Sequence, residues 1–171
     1  MNWFKRSKTT SQTPDLAESI LYDETTFYNR FSQDLLKAQK EVIIESPYIT
    51  TRRLNLLKPT IERLISKGVE IFIVTRYPEE HDDKIMAEQA EAGIRYFEGL
   101  GAQVLLCAGG HHRKLAIIDR EVLWEGSLNI LSFAHSREFM RRIDSKKLAE
   151  EMFKFLKFDT VKFFRKKLDL L

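Results

Sequence analysis

The chain has 171 residues, of which 43% are hydrophobic and 31% are charged, and its formal net charge is +3 at pH 7. This length and composition are typical of one globular domain with a sizeable hydrophobic core. A single cysteine, Cys107, excludes an internal disulfide. Because no long apolar run follows the charged start of the chain, we expect neither a signal peptide nor a membrane anchor. These features favour a cytoplasmic protein.

Residues 1–20 are predicted to form a flexible basic leader, and residues 21–171 a single domain. Apolar residues at helical spacing predict helices at residues 25–40, 54–67 and 85–100. Short aliphatic runs predict strands at residues 42–46, 69–74, 102–106, 114–118 and 122–124. Strands that alternate with helices indicate an α/β sheet with crossover helices, and a hairpin of the last two strands makes the sheet mixed.

Two residues after the first predicted strand are candidates for binding a substrate. Open α/β sheets place their functional groups at the carboxyl ends of parallel strands. Tyr48 and Arg52 lie just beyond such an end, so both are expected to line a cleft there. A plain turn between the strand and the next helix explains these residues equally well.

The most informative segment is residues 112–129, which reads HRKLAIIDREVLWEGSLN and has the pattern HxKxxxxDxxxxxxGSxN. Side chains two apart on a strand point the same way, so His112 and Lys114 share a face. Ser127 and Asn129 are also two apart, just beyond the next strand, and a hairpin brings the two pairs together. An imidazole, a cation, a hydroxyl and an amide are the groups needed to bind and attack a phosphodiester without a metal.

Asp119 is the third residue of the motif and a further catalytic candidate, but its position favours a structural role. It lies seven residues from His112, an odd offset, and falls where the hairpin must turn. An aspartate in a turn readily accepts hydrogen bonds from nearby backbone N–H groups. We therefore predict that Asp119 mainly forms the turn.

The motif resembles that of the phospholipase D superfamily, and the resemblance covers the motif and the residues up to Glu138. It implies a phospholipase D-like three-layer sandwich, with a mixed, mostly parallel sheet and helices on both faces. It also implies that His112 is the nucleophile or the acid, while Lys114 and Asn129 hold phosphoryl oxygens. Ser127 is implied to hydrogen-bond at the site, and Glu138 matches the acidic residue that orients the histidine. Neither a metal nor a cofactor is implied.

The chemistry needs two imidazoles, one neutral to attack phosphorus and one charged to protonate the leaving oxygen. The chain contains only one copy of the motif. Of the other histidines, His111 is expected to face away from His112. His81 lies in a charged loop, where it is expected to be solvated, and His135 is the in-chain alternative. A two-fold homodimer is the simpler solution, because an isologous interface brings two copies of the motif face to face.

The C-terminal part of the chain is basic. Residues 136–171 contain 11 Lys/Arg and 6 Asp/Glu, a net of +5, whereas the whole chain is +3. Apolar residues at helical spacing predict a basic amphipathic helix in this part. Such a helix can bind a nucleic-acid backbone, lie on an anionic membrane or simply pack on the core. Arg137 and Arg141 are candidate substrate contacts.

These features predict a metal-independent phosphodiesterase, and specifically a nuclease that acts on DNA or RNA, with DNA favoured. The short chain and its basic tail support this choice. The resemblance points the same way, because short members of that superfamily with a single motif are similar to endonucleases more often than to lipases. The alternatives are a phospholipase D-type lipid phosphodiesterase and a non-catalytic module that binds nucleic acid or a partner. A nuclease that acts inside a larger complex fits the same residues.

Overall fold

The computed structural model of the chain describes residues 18–132, 136–158 and 160. Its strands and helices follow one another in an alternating order over most of the chain. In chain order they are β1 (Glu18–Asp23), α1 (Phe27–Lys37), β2 (Glu41–Glu45), α2 (Thr51–Ser66), β3 (Glu70–Arg76), a short 3-10 helix (Pro78–Glu80), α3 (Lys84–Gly99), β4 (Gln103–Cys107), β5 (Leu115–Ile118), β6 (Val122–Gly126), β7 (Phe139–Asp144) and α4 (Lys146–Phe155).

The seven strands form one sheet in the order β1-β7-β6-β5-β2-β3-β4. The predicted α/β fold, with a mixed sheet and helices on both faces, is confirmed. The expectation of a mostly parallel sheet is corrected, because only β2–β3 and β3–β4 are parallel and the other four pairings are antiparallel. The reason is that β1 and β7, which the sequence patterns did not predict, extend the antiparallel half of the sheet.

Two hydrophobic layers hold the helices on the sheet. Helices α1, α2 and α3 pack on one face and α4 on the other. Side chains alternate between these layers along β2, where Val42 and Ile44 face the first layer and Ile43 faces the second. Each such fully buried side chain contributes about 1.5–3 kcal/mol relative to an exposed one. The central strands are therefore held on both faces, as continuous apolar runs require.

The predicted elements all appear, with ends that differ by at most three residues. The predicted leader is shorter than expected, because residues 18–20 lie in β1 and pair with β7. The predicted amphipathic helix corresponds to α4, whereas residues 1–17 and 161–171, with the end of the basic tail, lie outside the described residues. Of the helices in the described part, none is long and apolar enough to cross a bilayer.

The sheet brings both ends of the motif to one edge. Strand β5 runs antiparallel to β2, so Leu115 at its start pairs with Glu45 at the end of β2. Strand β6 returns antiparallel to β5, and Glu125 near its end pairs with Leu115. The residues just before β5 and just after β6 therefore meet at the edge where the parallel strands β2, β3 and β4 end.

Candidate active site

A cavity of about 750 Å³ opens at this edge of the sheet, on the side covered by α4. It gathers most of the residues that the sequence singled out. The predicted site residues that line it are His112, Lys114, Ser127, Asn129, Glu138 and Arg141. The predicted hairpin therefore brings the imidazole, the ammonium, the hydroxyl and the amide of the motif to one place.

His112 and Lys114 contact each other directly. Nζ of Lys114 lies 2.9 Å from Nδ1 of His112 and donates to the His112 carbonyl oxygen at 2.8 Å. Burial lowers the pKa of Lys114, and the negative charge of Glu138 opposes that shift. An ammonium can only donate, so while Lys114 is charged Nδ1 accepts and neutral His112 carries its proton on Nε2. The His112 side chain is exposed and accessible to a substrate.

Gly126 and Ser127 tie the motif to β7. Ser127 N donates to the Phe139 carbonyl oxygen at 3.0 Å, and Ser127 Oγ accepts from Phe139 N at 3.1 Å. A Cβ on Gly126 would lie 2.2 Å from that same carbonyl oxygen, so only glycine lets β7 approach so closely. These contacts fix the start of β7 and thereby place Glu138 beside the cavity.

The side chains of Asn129 and Glu138 complete the polar wall. Oδ1 of Asn129 is buried and has no hydrogen-bond partner among the described residues. The main-chain oxygen of Asn129 accepts from the Tyr28 hydroxyl at 3.3 Å, which anchors this turn to α1. The Glu138 carboxylate accepts from Ser136 Oγ at 2.8 Å. Asn129 therefore offers an uncommitted amide oxygen at the cavity, and the amide it belongs to can also donate to a ligand.

Asp119 lies at the opposite end of β5 from His112 and does not line the cavity. Its Oδ2 accepts from Gln39 N at 2.8 Å, and its Oδ1 accepts from Lys40 N at 2.8 Å and Glu41 N at 3.0 Å. With φ of +52°, Asp119 forms the tight turn between β5 and β6. The geometry agrees with the predicted turn role and corrects the placement of Asp119 among the catalytic candidates.

Three predicted substrate-binding residues lie away from the cavity: Tyr48, Arg52 and Arg137. The Tyr48 hydroxyl accepts from Arg76 Nη1 at 3.0 Å. Arg52 lies in the first turn of α2, and Arg137 is exposed. Tyr48 and Arg52 lie away from the cavity because the chain after β2 leads into α2, which packs on the opposite face of the sheet.

The remaining histidines do not reach the cavity within the described residues. His111 is buried beside Glu45, with 3.9 Å between Nε2 and Oε2. His81 was predicted to be solvated, but it is half-buried against the Tyr48 ring, with 5.1 Å between the ring centroids. Burial lowers the pKa of both rings. His135 lies outside the described residues.

Sequence reasoning missed the ion pair between Arg113 and Glu45. Nε of Arg113 lies 2.7 Å from Oε2 and Nη2 lies 3.2 Å from Oε1 of the carboxylate. Glu45 is only 1% exposed, so burial raises its pKa and Arg113 opposes that shift. The sequence does contain a signal for this ion pair, namely a glutamate at the end of an apolar strand. Such a glutamate is expected to be buried, and buried carboxylates are almost always paired.

Apolar side chains form the other rim of the cavity. Phe139, Met152 and Phe155 line it, and the two phenylalanines are 52% and 68% exposed. A second, mostly apolar cavity of about 380 Å³ adjoins the first and shares Glu125, Met152 and Phe155 with it. The contribution of Phe139 to this rim was missed because it lies on β7, which the sequence patterns did not predict.

The mixed sheet and the motif cavity at its edge define a phospholipase D-like domain of the phosphodiesterase superfamily. The chain belongs to the family described as "Cardiolipin synthase, PLD-like domain", whose model matches residues 31–159. A comparison with curated proteins finds no match.

Solved structures share this fold at low sequence identity. NucT from Helicobacter pylori is 19% identical with a TM-score of 0.65, over 82% of this chain and 94% of that chain. Nuc from Salmonella typhimurium, a phospholipase D family member, is 16% identical with a TM-score of 0.68, over 82% and 92%. A phosphatidylserine synthase from Haemophilus influenzae Rd KW20 is 18% identical with a TM-score of 0.63, over 82% and 38%. At these identities the likeness concerns the fold.

Proposed function

We propose that this protein is a metal-independent nuclease that cleaves DNA, or alternatively RNA, through a phosphohistidine formed on His112. The observation that carries the proposal is the convergence of His112, Lys114, Ser127, Asn129 and Glu138 in one cavity. An exposed imidazole with a cation and an amide beside it can attack a phosphodiester and neutralise the charge that develops on its oxygens. We place this activity in the cytoplasm, either in the isolated homodimer or inside a larger nuclease complex.

The proposed reaction has two steps. Neutral His112 attacks phosphorus in line, so a P–N bond forms while the P–O bond to the leaving alcohol breaks. Protonated His112 of the partner subunit donates its proton to that alcohol. The imidazole that has lost the proton then deprotonates water, and the water oxygen attacks phosphorus. A P–O bond forms while the P–N bond to His112 breaks, which releases the phosphate product and regenerates neutral His112. Lys114 and Asn129 of both subunits stabilise the equatorial oxygens in both steps.

The contact between Lys114 and His112 suggests how the substrate prepares the nucleophile. Attack through Nε2 needs a lone pair there, and the imidazole proton must then sit on Nδ1. In the free protein the ammonium of Lys114 lies 2.9 Å from Nδ1 and donates a hydrogen bond to it. A phosphate anion is a stronger acceptor for that ammonium, because charge-assisted hydrogen bonds between ions are the stronger ones. Substrate binding therefore releases Nδ1, and Glu138 is the acceptor proposed for its proton.

A homodimer supplies the second imidazole in this proposal. Phe139 and Phe155 are 52% and 68% exposed at the rim of the cavity. Leu21 pairs with the cavity residue Arg141 in the sheet, so it shares that face, and it is 61% exposed. Exposed apolar patches mark interaction surfaces. Here the patch borders a site that needs a second copy of His112, which supports an isologous dimer across this face.

Cations at the cavity support a nucleic-acid substrate. Lys114, Arg141 and the Glu45-paired Arg113 line it, beside the carboxylates Glu125 and Glu138. Nucleic-acid backbones are bound largely through such cations, with a strong dependence on salt. A lipid phosphodiester is the second candidate, favoured by the mostly apolar cavity of about 380 Å³ beside the site, which fits an acyl chain.

One assay separates these candidates. Purified protein is incubated with plasmid DNA, single-stranded DNA, RNA or phosphatidylcholine vesicles, each with EDTA in excess. We expect cleavage of DNA in EDTA, and a decrease on the order of a thousandfold in the His112→Ala variant. Loss of cleavage on chelation, or equal activity in the variant, would contradict the mechanism. Release of headgroup from the vesicles without nucleic-acid cleavage would support the lipid candidate.

Light scattering tests the dimer independently of turnover. We expect twice the mass of one chain for the wild type and the mass of one chain for Phe139→Glu. Leu56→Glu is the matched control, because Leu56 is 57% exposed on α2, on the opposite face of the sheet, and should leave the dimer intact. A wild-type protein that stays monomeric at active concentrations would refute the shared site.

A further inference from the structure

The segment that carries His112 runs between strands and has little backbone support. Strand β4 ends at Cys107 and β5 begins at Leu115. Within the described part of the chain, no hydrogen bond between main-chain groups involves residues 108–113. A nucleophile nevertheless has to be held within a fraction of an ångström of its working position. Side chains must therefore hold this segment.

Glu80 holds the segment ahead of His112. Oε1 of Glu80 accepts from Gly109 N at 2.9 Å and Oε2 accepts from Gly110 N at 3.4 Å. The φ angles of Gly109 and Gly110 are +83° and +73°. This left-handed conformation, which glycine adopts without a steric penalty, turns consecutive N–H groups toward one anion. The hydrogen bond from Gly109 is the main cause that lowers the pKa of Glu80.

The Glu80 carboxylate is itself anchored to the rigid part of the fold. Nε of Arg76, the last residue of β3, lies 3.6 Å from Oε2 of Glu80. The same guanidinium donates to the Tyr48 hydroxyl at 3.0 Å. Beyond His112, Arg113 is paired with the buried Glu45 at the end of β2. The exposed nucleophile therefore lies between two tethers, and both lead to the parallel strands of the sheet.

We propose that Glu80 is a positioning residue for the phosphodiesterase reaction: by holding the amides of Gly109 and Gly110, it fixes the loop that presents His112 to phosphorus. This inference rests on the proposed function of His112 as the nucleophile. Glu80 does not line the cavity, so it acts through the loop and not on the substrate. Loss of its carboxylate therefore lowers kcat and leaves KM unchanged.

Three variants test this role on the full-length protein with a DNA substrate. In Glu80→Ala the loop loses its acceptor, and we expect kcat to fall on the order of tenfold or more at constant KM. Glu80→Gln keeps one acceptor oxygen and should rescue part of that loss. Glu79→Ala is the matched control, because Glu79 is an exposed carboxylate on the same 3-10 helix, and it should retain the kcat of the wild type.

The imidazole NMR signals of His112 test the tether without turnover. We expect them to shift or broaden in Glu80→Ala and to stay in place in Glu79→Ala. Wild-type kcat and wild-type His112 signals in Glu80→Ala would overturn the proposal, as would a loss of activity that only follows a lower melting temperature. If the wild type cleaves no phosphodiester, the proposed function fails, whereas a His112 signal that moves only in Glu80→Ala still supports the tether.

Discussion

Replacing Asp119 by alanine removes the acceptor of three main-chain N–H groups, those of residues 39–41. Only the Glu41 amide is partly buried, so water replaces the other two bonds and the loss at Glu41 is about 2 kcal/mol. Alanine at a φ of +52° adds about 1 kcal/mol of backbone strain. We therefore expect the free energy of unfolding to fall by about 3 kcal/mol.

Urea denaturation measures this loss as a lower midpoint at an unchanged slope. Asp119→Asn is the matched control, because asparagine keeps one acceptor oxygen and tolerates the left-handed conformation, so it should lose about 1 kcal/mol. In both variants we expect kcat per folded molecule to stay within about twofold of the wild type, since Asp119 lies outside the cavity. A hundredfold lower kcat at wild-type stability would refute the turn role and make Asp119 catalytic.

Three further predictions concern other parts of the structure. Gly126→Ala places a Cβ 2.2 Å from a main-chain oxygen of β7, so urea denaturation should show a loss of about 1–3 kcal/mol; wild-type stability would mean that β7 does not approach so closely. Hydrogen bonds from Thr25 and Thr26 lower the pKa of Asp23 from 3.8 to about 2. Because the folded value is the lower one, this stabilisation exists above pH 4 and is lost as the pH falls toward 2. Asp23→Asn should remove that part of the acid dependence, and an unchanged acid unfolding curve would contradict it. Arg141→Ala should weaken the salt dependence of DNA binding, so that the slope of log affinity against log salt concentration falls in magnitude by ~1. An unchanged slope would mean that Arg141 does not contact a phosphate.

The motif hairpin could be predicted because its information is local. Two strands joined by three polar residues, with side-chain pairs at spacing two on each arm, define the pairing and the shared face. The structure pairs Leu115 with Glu125 and joins Gly126 N to Lys114 O at 3.2 Å, as such a hairpin requires. Asp119 could be recognised as a turn residue for the same reason. Its odd offset from His112 and its place between the two strands can both be read from the nearby sequence.

Strand β7 could not be predicted because its burial depends on distant partners. Its sequence FMRRID contains two adjacent arginines, which predict a solvent-exposed segment. In the structure Arg142 is buried, and its Nε lies 2.6 Å from Oδ2 of Asp34, 108 residues away in the chain. The same carboxylate accepts from Trp124 Nε1 at 3.2 Å. No local pattern shows that an arginine is neutralised in this way.

The two tethers of the loop that carries His112 could not be predicted from the sequence, for the same physical reason. Arg113 and Glu45 are 68 residues apart, and Gly109 and Glu80 are 29 residues apart. Each pair meets only because the parallel strands and the hairpin end at one edge of the sheet. The chemistry-bearing residues of the motif are therefore visible in the sequence, whereas the groups that hold them in place become visible only in the fold.

The most direct test of the central claim is to trap the covalent intermediate. The protein is mixed with a labelled DNA oligonucleotide in excess EDTA, stopped with alkali, which preserves a P–N bond, and digested for mass spectrometry. We predict a nucleotide phosphate attached to His112 in the wild type and no adduct in His112→Ala. Cleavage that proceeds without any adduct on His112, or that continues in the variant, would contradict a phosphohistidine mechanism.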